Sequence, residues 1–321
     1  MHRRLFPRTG WELSEIGYGM WGLAGWTGSE DDETLRALEE SISLGCNFFD
    51  TAWAYGAGHS ERLLAQTLRA HPERRLYVAT KVPPGNQRWI QLDDAALDDV
   101  FPADHIREYT ERSLQNLGVA AIDLQQFHAW SDSWAADERW QRAVDDLKRE
   151  GLVRSWGISV NRWETANVLK ALETGLIDCV QVVYNIFDQD PEDVLFPYCR
   201  QHGIAVIARV PFDEGSLTGT LTPESRWPEG DWRNLYFTPA HLAETLEHVA
   251  ALRPVVPAGM SMAELALRFI LHHAAVTTTI PGMRRIANVR ANCGASDGRP
   301  LAPALLARLR EHRWRRDWVV P

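Results

Sequence analysis

Short β-rich runs alternate with amphipathic stretches along the chain, and this alternation restricts the fold more than any other feature. Eight runs stand out, at residues 16–20, 47–50, 76–81, 122–127, 155–159, 180–184, 205–208 and 276–280. Several are almost continuously apolar, as parallel strands covered on both faces must be. Between them, residues 31–44, 60–68, 103–117, 137–150, 163–172, 191–201 and 261–272 repeat apolar side chains at helical spacing. Gly45, Gly118, Gly151, Gly175 and Gly203 each follow such a stretch, where a helix stops most easily. Strict alternation predicts an α/β fold with a parallel sheet. Eight units predict a closed (β/α)8 TIM barrel, with residues 1–321 as one domain. An open doubly wound sheet is the competitor, but no GxGxxG follows the first run. The least regular segments, 83–102 and 212–239, follow the third and seventh runs, where barrels build their pockets.

Composition narrows the class of function. Apolar residues at 45% and charged ones at 24% suit a globular chain rather than a disordered one. No apolar run approaches the ~18 residues of a membrane span. The basic start, Met1 to Arg8, has no apolar stretch after it, so no secretory leader is expected. A net charge of -9 argues against binding nucleic acid or an anionic membrane, yet leaves room for a local phosphate pocket. The four cysteines form no CxxC pair, so a metal site is not expected and a reducing cytoplasm is. The 14 tryptophans either fill core or supply flat pocket walls. Trp21, Trp53, Trp89 and Trp130 are the candidate walls of a substrate pocket.

In a parallel barrel the C-terminal strand ends share one mouth. Asp50, Lys81 and His128 sit at such ends, and Tyr55 lies five residues beyond Asp50. A Lys closing an apolar strand needs a counter-ion, and Asp50 on the neighbouring strand is the obvious one. An ammonium beside a phenol favours the phenolate, so Lys81 is expected to lower the pKa of Tyr55 from its usual ~10. Tyr55 would then donate a proton near neutral pH, with His128 orienting a carbonyl oxygen. Each of these residues taken alone reads as readily as a cap, a core aromatic or a structural ion pair.

The stretch Phe49-Asp50-Thr51-Ala52-Trp53-Ala54-Tyr55-Gly56-Ala57-Gly58-His59-Ser60-Glu61 resembles the FDTAxxYGxGxSE segment of the aldo-keto reductases. Val78-Ala79-Thr80-Lys81, Leu124 to His128, Gly151 to Ser159, Gly215-Ser216-Leu217-Thr218-Gly219 and Ile280-Pro281-Gly282 resemble further motifs of that family, in order. The resemblance implies a (β/α)8 barrel, NADPH (NADP+) as cofactor, and a catalytic tetrad of Asp50, Tyr55, Lys81 and His128. It implies that Gly19 and Met20 lie beside the nicotinamide and that Ser159 and Gln181 hold its carboxamide. Val210, Pro211 and Phe212 with Gly215, Ser216 and Leu217 would strap the pyrophosphate. Gly282 and Arg284 fall on the cofactor side, Arg284 toward a 2′-phosphate, and Asn288 and Asn292 toward adenine.

Three departures from the family pattern bear on these assignments. Arg209 replaces an aromatic that stacks on the nicotinamide, and Asp213 or Glu214 is its candidate counter-ion. Val160 stands where the family often has Asn, with Asn161 one residue late. The loop at 83–99, carrying Trp89, is long and acidic, which disfavours anionic substrates. The expected function is reduction of a small-molecule aldehyde or ketone to an alcohol. The alternatives are a redox-sensing NADPH-binding regulatory subunit and an aldolase-type barrel with Lys81 as a Schiff base. The basic run Arg308, Arg310, Arg313, Arg315 and Arg316 reads as a solvated helix face.

Overall fold

Backbone pairing sets eight strands side by side, each parallel to the next, in a computed structural model that describes residues 1–23, 29–91, 95–316 and 318. A hairpin of β1 (Arg3–Phe6) and β2 (Trp11–Ser14) comes first. The parallel strands follow as β3 (Tyr18–Gly19), β4 (Phe48–Asp50), β5 (Tyr77–Val82), β6 (Ile122–Phe127), β7 (Val153–Ser159), β8 (Cys179–Val183), β9 (Ala205–Arg209) and β10 (Thr278–Thr279). Their spatial order is their order in the sequence. The sheet closes on itself. Ile16 bridges Thr279, Gly19 bridges Gly282, and the Gly17 amide donates to the Thr279 carbonyl at 2.8 Å. The cylinder is the expected (β/α)8 barrel.

The helices are α1 (Asp31–Ser43), α2 (His59–Ala70), α3 (Leu97–Val100), α4 (Ala103–Leu117), α5 (Glu138–Arg149), α6 (Leu169–Glu173), α7 (Leu195–His202), α8 (Arg233–Tyr236), α9 (Pro239–Leu252), α10 (Met262–His272), α11 (Ile286–Gly294) and α12 (Pro303–Arg310). The apolar stripes of the longer ones pack on outward strand residues such as Val78, Phe127, Val180 and Val206. Helices α4 and α7 end at Gly118 and Gly203, at φ 65° and 64°, conformations an L side chain adopts only with strain. None of the described helices is long and apolar enough to cross a membrane.

Side chains alternate across each strand, so every second residue points into the cylinder. Phe48, Tyr77, Ala79, Leu124, Cys179, Ala205 and Ile207 form its apolar floor, and Phe6 and Leu13 of the hairpin join them. The hairpin therefore plugs the end at which the strands begin.

Three expectations need correction. The helix expected over 163–172 exists only as α6. Ahead of it the Trp163 amide donates to the Asn161 side chain at 3.2 Å and the Asp132 amide to the Asn167 side chain at 2.7 Å. Polar side chains there take the place of helical pairing. Helix α9 was not anticipated, although Thr238 caps it by accepting the His241 amide and Pro239 opens it. The arginines after α12 are not all solvated. Arg313 pairs with Asp190 and Asp193 at 2.8 Å, and the Arg316 side chain is fully buried between Asp188 and Asp213.

Candidate active site

One strand position beyond the apolar floor, the same inward alternation turns polar. Asp50 follows Phe48, Lys81 follows Ala79, Gln126 and then His128 follow Leu124, Gln181 follows Cys179, and Arg209 follows Ile207. Asp50, Lys81, Gln126 and Arg209 lie in the last two positions of their strands, His128 just past β6 and Gln181 midway along β8, where cross-strand register sets it beside Ser159. Gly157 belongs to the same inward set. A Cβ there would meet the Gln126 Cγ at 3.1 Å, so its bare backbone gives Gln126 room to lie across the barrel.

Lys81 is wholly buried. Its Nζ donates to Asp50 Oδ1 at 2.6 Å, to the Thr51 carbonyl at 2.7 Å and to Tyr55 Oη at 3.4 Å. The other carboxylate oxygen of Asp50 accepts the amide nitrogens of Gln181 at 2.7 Å and Gln126 at 3.2 Å. Tyr55 reaches the mouth on a loop folded between β4 and α2, in which the Ser60 amide donates to the Tyr55 carbonyl. The Tyr55 and His128 rings meet edge-on, 5.8 Å apart. Asp50, Tyr55, Lys81 and His128 are thus brought to one place.

Electrostatics assigns each group a state. Burial opposes the charge on Lys81, but Asp50 and Tyr55 together hold its pKa above the usual lysine value. It stays an ammonium, which is no nucleophile for a Schiff base. Burial holds the Tyr55 phenol above its ordinary value, and Lys81 and Arg209 only partly offset this. The expected acidification is therefore a correction: desolvation outweighs the cation, and Tyr55 rests as a protonated donor. Burial, then Lys81 and Arg209, push His128 well below the usual histidine value, so its ring is neutral at pH 7. Its Nδ1 is buried with no hydrogen-bond partner among the described residues.

The candidate walls separate. Trp89 is 51% exposed and stands edge-on to the His128 ring at 4.7 Å. Trp21 is 41% exposed, following buried Met20. Trp53 packs edge-on against Tyr109 of α4 at 4.6 Å. Trp130 is a correction. It is 1% exposed and packs among Phe127, Trp134 and Trp140, so it fills core and presents no wall. The acidic loop at 83–99 is described except for 92–94, which lie outside the described residues.

On the other side of the mouth, Arg209 donates to the Val160 carbonyl at 2.9 Å, and its Nε is buried with no partner among the described residues. Asp213 is not its counter-ion, because that carboxylate is taken by Arg162 and Arg316. Asn161 is occupied in its own turn. The segment 210–219 runs on from β9. Its Gly215 and Leu217 amides donate to the Phe212 carbonyl, and the Ser216 hydroxyl donates to Asp213 at 2.7 Å. Leu217 and Pro211 are buried and Phe212 is partly so. Gly282 is exposed, with open space where a Cβ would stand. A Cβ on Gly19 would meet the Ile280 carbonyl oxygen at 2.4 Å, so this place in the seam requires glycine. Arg284 is half-buried, and burial with neighbouring Arg233 and Arg285 lowers its pKa. On α11, Asn288 is exposed and Asn292 buried.

Gln126 was missed at the sequence level. It lies two residues before His128, and strand alternation alone marks it as an inward polar residue. The arginines and aspartates around 213 carry no comparable local signal.

Comparisons with known proteins bear on the family and the fold. A sequence profile described as the aldo/keto reductase family matches residues 15–313. The chain is 31% identical over 313 residues to the oxidoreductase YqkF of Bacillus subtilis, covering 97% of this chain and 96% of that protein. It is 28% identical over 296 residues to a protein of Escherichia coli described as an NADH-specific methylglyoxal reductase, covering 88% and 90%. Among solved structures, the holo form of an aldo-keto reductase from Bacillus halodurans superposes with a TM-score of 0.77 at 26% identity, over 98% of this chain and 96% of that one.

Proposed function

The chain belongs to the aldo/keto reductase family of oxidoreductases, and from that premise we propose that it reduces an aldehyde or ketone to an alcohol with NADPH. The observation that carries the reading is the buried Lys81 ammonium, fixed by Asp50 and the Thr51 carbonyl and directed at the Tyr55 hydroxyl.

The residues present fit a dinucleotide. Ser159 and Gln181 stand side by side on β7 and β8, suited to an amide group. The open surface at Gly282 admits a close approach, and Arg284 with Arg285 beside it offers positive charge for a phosphate, while Arg233 is held by Asp231 at 2.7 Å. This cluster favours NADPH, although one relative is named for NADH. Bound there, the nicotinamide would supply a hydride to the carbonyl carbon.

The chain's own groups then handle the oxygen. Tyr55, protonated at rest, gives its hydroxyl proton to the oxygen as negative charge develops. Lys81 stabilises the phenolate that remains, and Asp50 keeps Lys81 charged. Neutral His128, beside Tyr55, orients the oxygen without competing as a stronger acid. The half-exposed Trp89 ring covers His128 and gives the substrate an apolar wall.

The test follows NADPH and NADH oxidation by absorbance with a panel of aldehydes and ketones. Tyr55→Phe should lower kcat by about 10²–10⁴-fold while NADPH still binds. A wild-type rate in Tyr55→Phe overturns the assignment of the proton donor. NADPH binding without turnover on any carbonyl overturns the reductase reading.

A further inference from the structure

The segment that follows β9 holds an unusual backbone. Val210, Asp213 and Glu214 have φ of 55°, 45° and 54°, and Gly215 has 110°. Positive φ is uncommon outside glycine and a genuine outlier for a β-branched residue. At Val210, Asp213 and Glu214 such a backbone is strained and persists only where its surroundings over-determine it.

The surroundings here are a buried square of charge. The Asp213 carboxylate, with no solvent exposure, accepts Arg162 Nη2 at 2.7 Å, Arg316 Nη2 at 2.7 Å, the Tyr236 hydroxyl at 2.8 Å and the Ser216 hydroxyl at 2.7 Å. Both guanidiniums also reach Asp188, Arg162 at 2.9 Å and Arg316 at 3.0 Å. Two cations thus face two anions, and the group is neutral. Asn185 ties the square to the strained segment, donating to Asp188 at 2.9 Å and to the Val210 carbonyl at 3.0 Å. Despite burial, the two arginines depress Asp188, and the two aspartates raise both arginines. The Arg316 guanidinium lies 4.1 Å from the centre of the Trp314 ring, which holds it in place.

We infer that Arg316 is a positioning residue for the dinucleotide, holding the segment 210–219 in the shape that receives it by completing the buried square with Arg162, Asp188 and Asp213. The inference rests on the reading above, in which that segment holds the pyrophosphate. Arg316 lies beyond the span, 15–313, that the family profile matches. Among the described residues its hydrogen bonds and ion pairs go to Asp188 and Asp213 rather than to Asp50, Tyr55, Lys81 or His128. Without it, two buried carboxylates share the single cation Arg162, an uncompensated charge that the fold relieves by moving Asp213 and its strained neighbours.

The test measures NADPH affinity by quenching of tryptophan fluorescence, alongside steady-state kinetics, in wild type, Arg316→Met and Arg316→Lys. In Arg316→Met the Kd and the KM for NADPH should rise about tenfold or more, while kcat falls by less than about threefold. Arg316→Lys keeps the charge but cannot bridge both carboxylates in the same planar geometry, so its Kd should fall between the two. If Arg316→Met does not fold, Arg316→Met with Asp188→Asn restores neutrality but not the bridge from Asp213 to Asp188, so its Kd should still exceed that of wild type by more than twofold. A Kd within twofold of wild type in the folded variant overturns the inference. So does a variant in which kcat falls as much as affinity. Wild-type protein that binds no NADPH overturns instead the reading beneath it.

Discussion

A buried ammonium and a buried carboxylate are stable only together. Lys81 has no exposed side-chain surface and Asp50 has 3%, so Lys81→Met leaves an anion with nothing but amides to hold it. Loss of about 3–5 kcal/mol is expected in urea unfolding. Adding Asp50→Asn should recover most of that stability and none of the turnover. Equal stability in Lys81→Met and wild type would contradict the charge pair. These residues are legible in the sequence only as a set, because Asp50, Lys81 and His128 recur in order at the ends of successive strand runs, with Tyr55 just beyond Asp50. Arg316 is not legible, since its partners Asp213 and Asp188 lie 103 and 128 positions away. Trp130 fails differently: nothing local tells whether an aromatic beside a catalytic strand turns toward the mouth or toward the helices. The acidity of Tyr55 fails because desolvation depends on packing that no spacing reveals.

The seam between β3 and β10 joins the first and last parallel strands through a few contacts. Gly19 allows it, because a Cβ there would overlap the Ile280 carbonyl oxygen. Its bridge partner Gly282 has open space instead. Gly19→Ala should therefore destabilise the fold by about 1–3 kcal/mol, as overpacking does. Gly282→Ala should leave unfolding almost unchanged. Equal effects from the two would contradict the seam geometry. Strand and helix order was readable because eight strand runs alternate with amphipathic stretches, five of which are followed by a glycine. The hairpin was not, since Arg3–Phe6 and Trp11–Ser14 are short and half polar, and only Phe6 and Leu13 reveal their purpose once the cylinder is built.

Across the whole molecule, burial holds His128, His248, His273 and His312 below the usual histidine pKa. Above about pH 6.5 these rings are neutral whether folded or not. Below it, the unfolded chain takes up protons that the folded one refuses, so stability falls as pH falls. Buried Glu61 and Glu214, raised above the usual carboxyl range, act in the opposite sense at lower pH. Melting temperature should therefore decline from about pH 7.5 to 6, and a flat or rising profile there would contradict the burial of these rings. The plug formed by Phe6 and Leu13 has a further consequence. With one end stoppered, the cofactor and carbonyl proposed above would share a single doorway. Whichever lay deeper would be first in and last out, a queue in which the outer guest leaves before the inner one is exchanged.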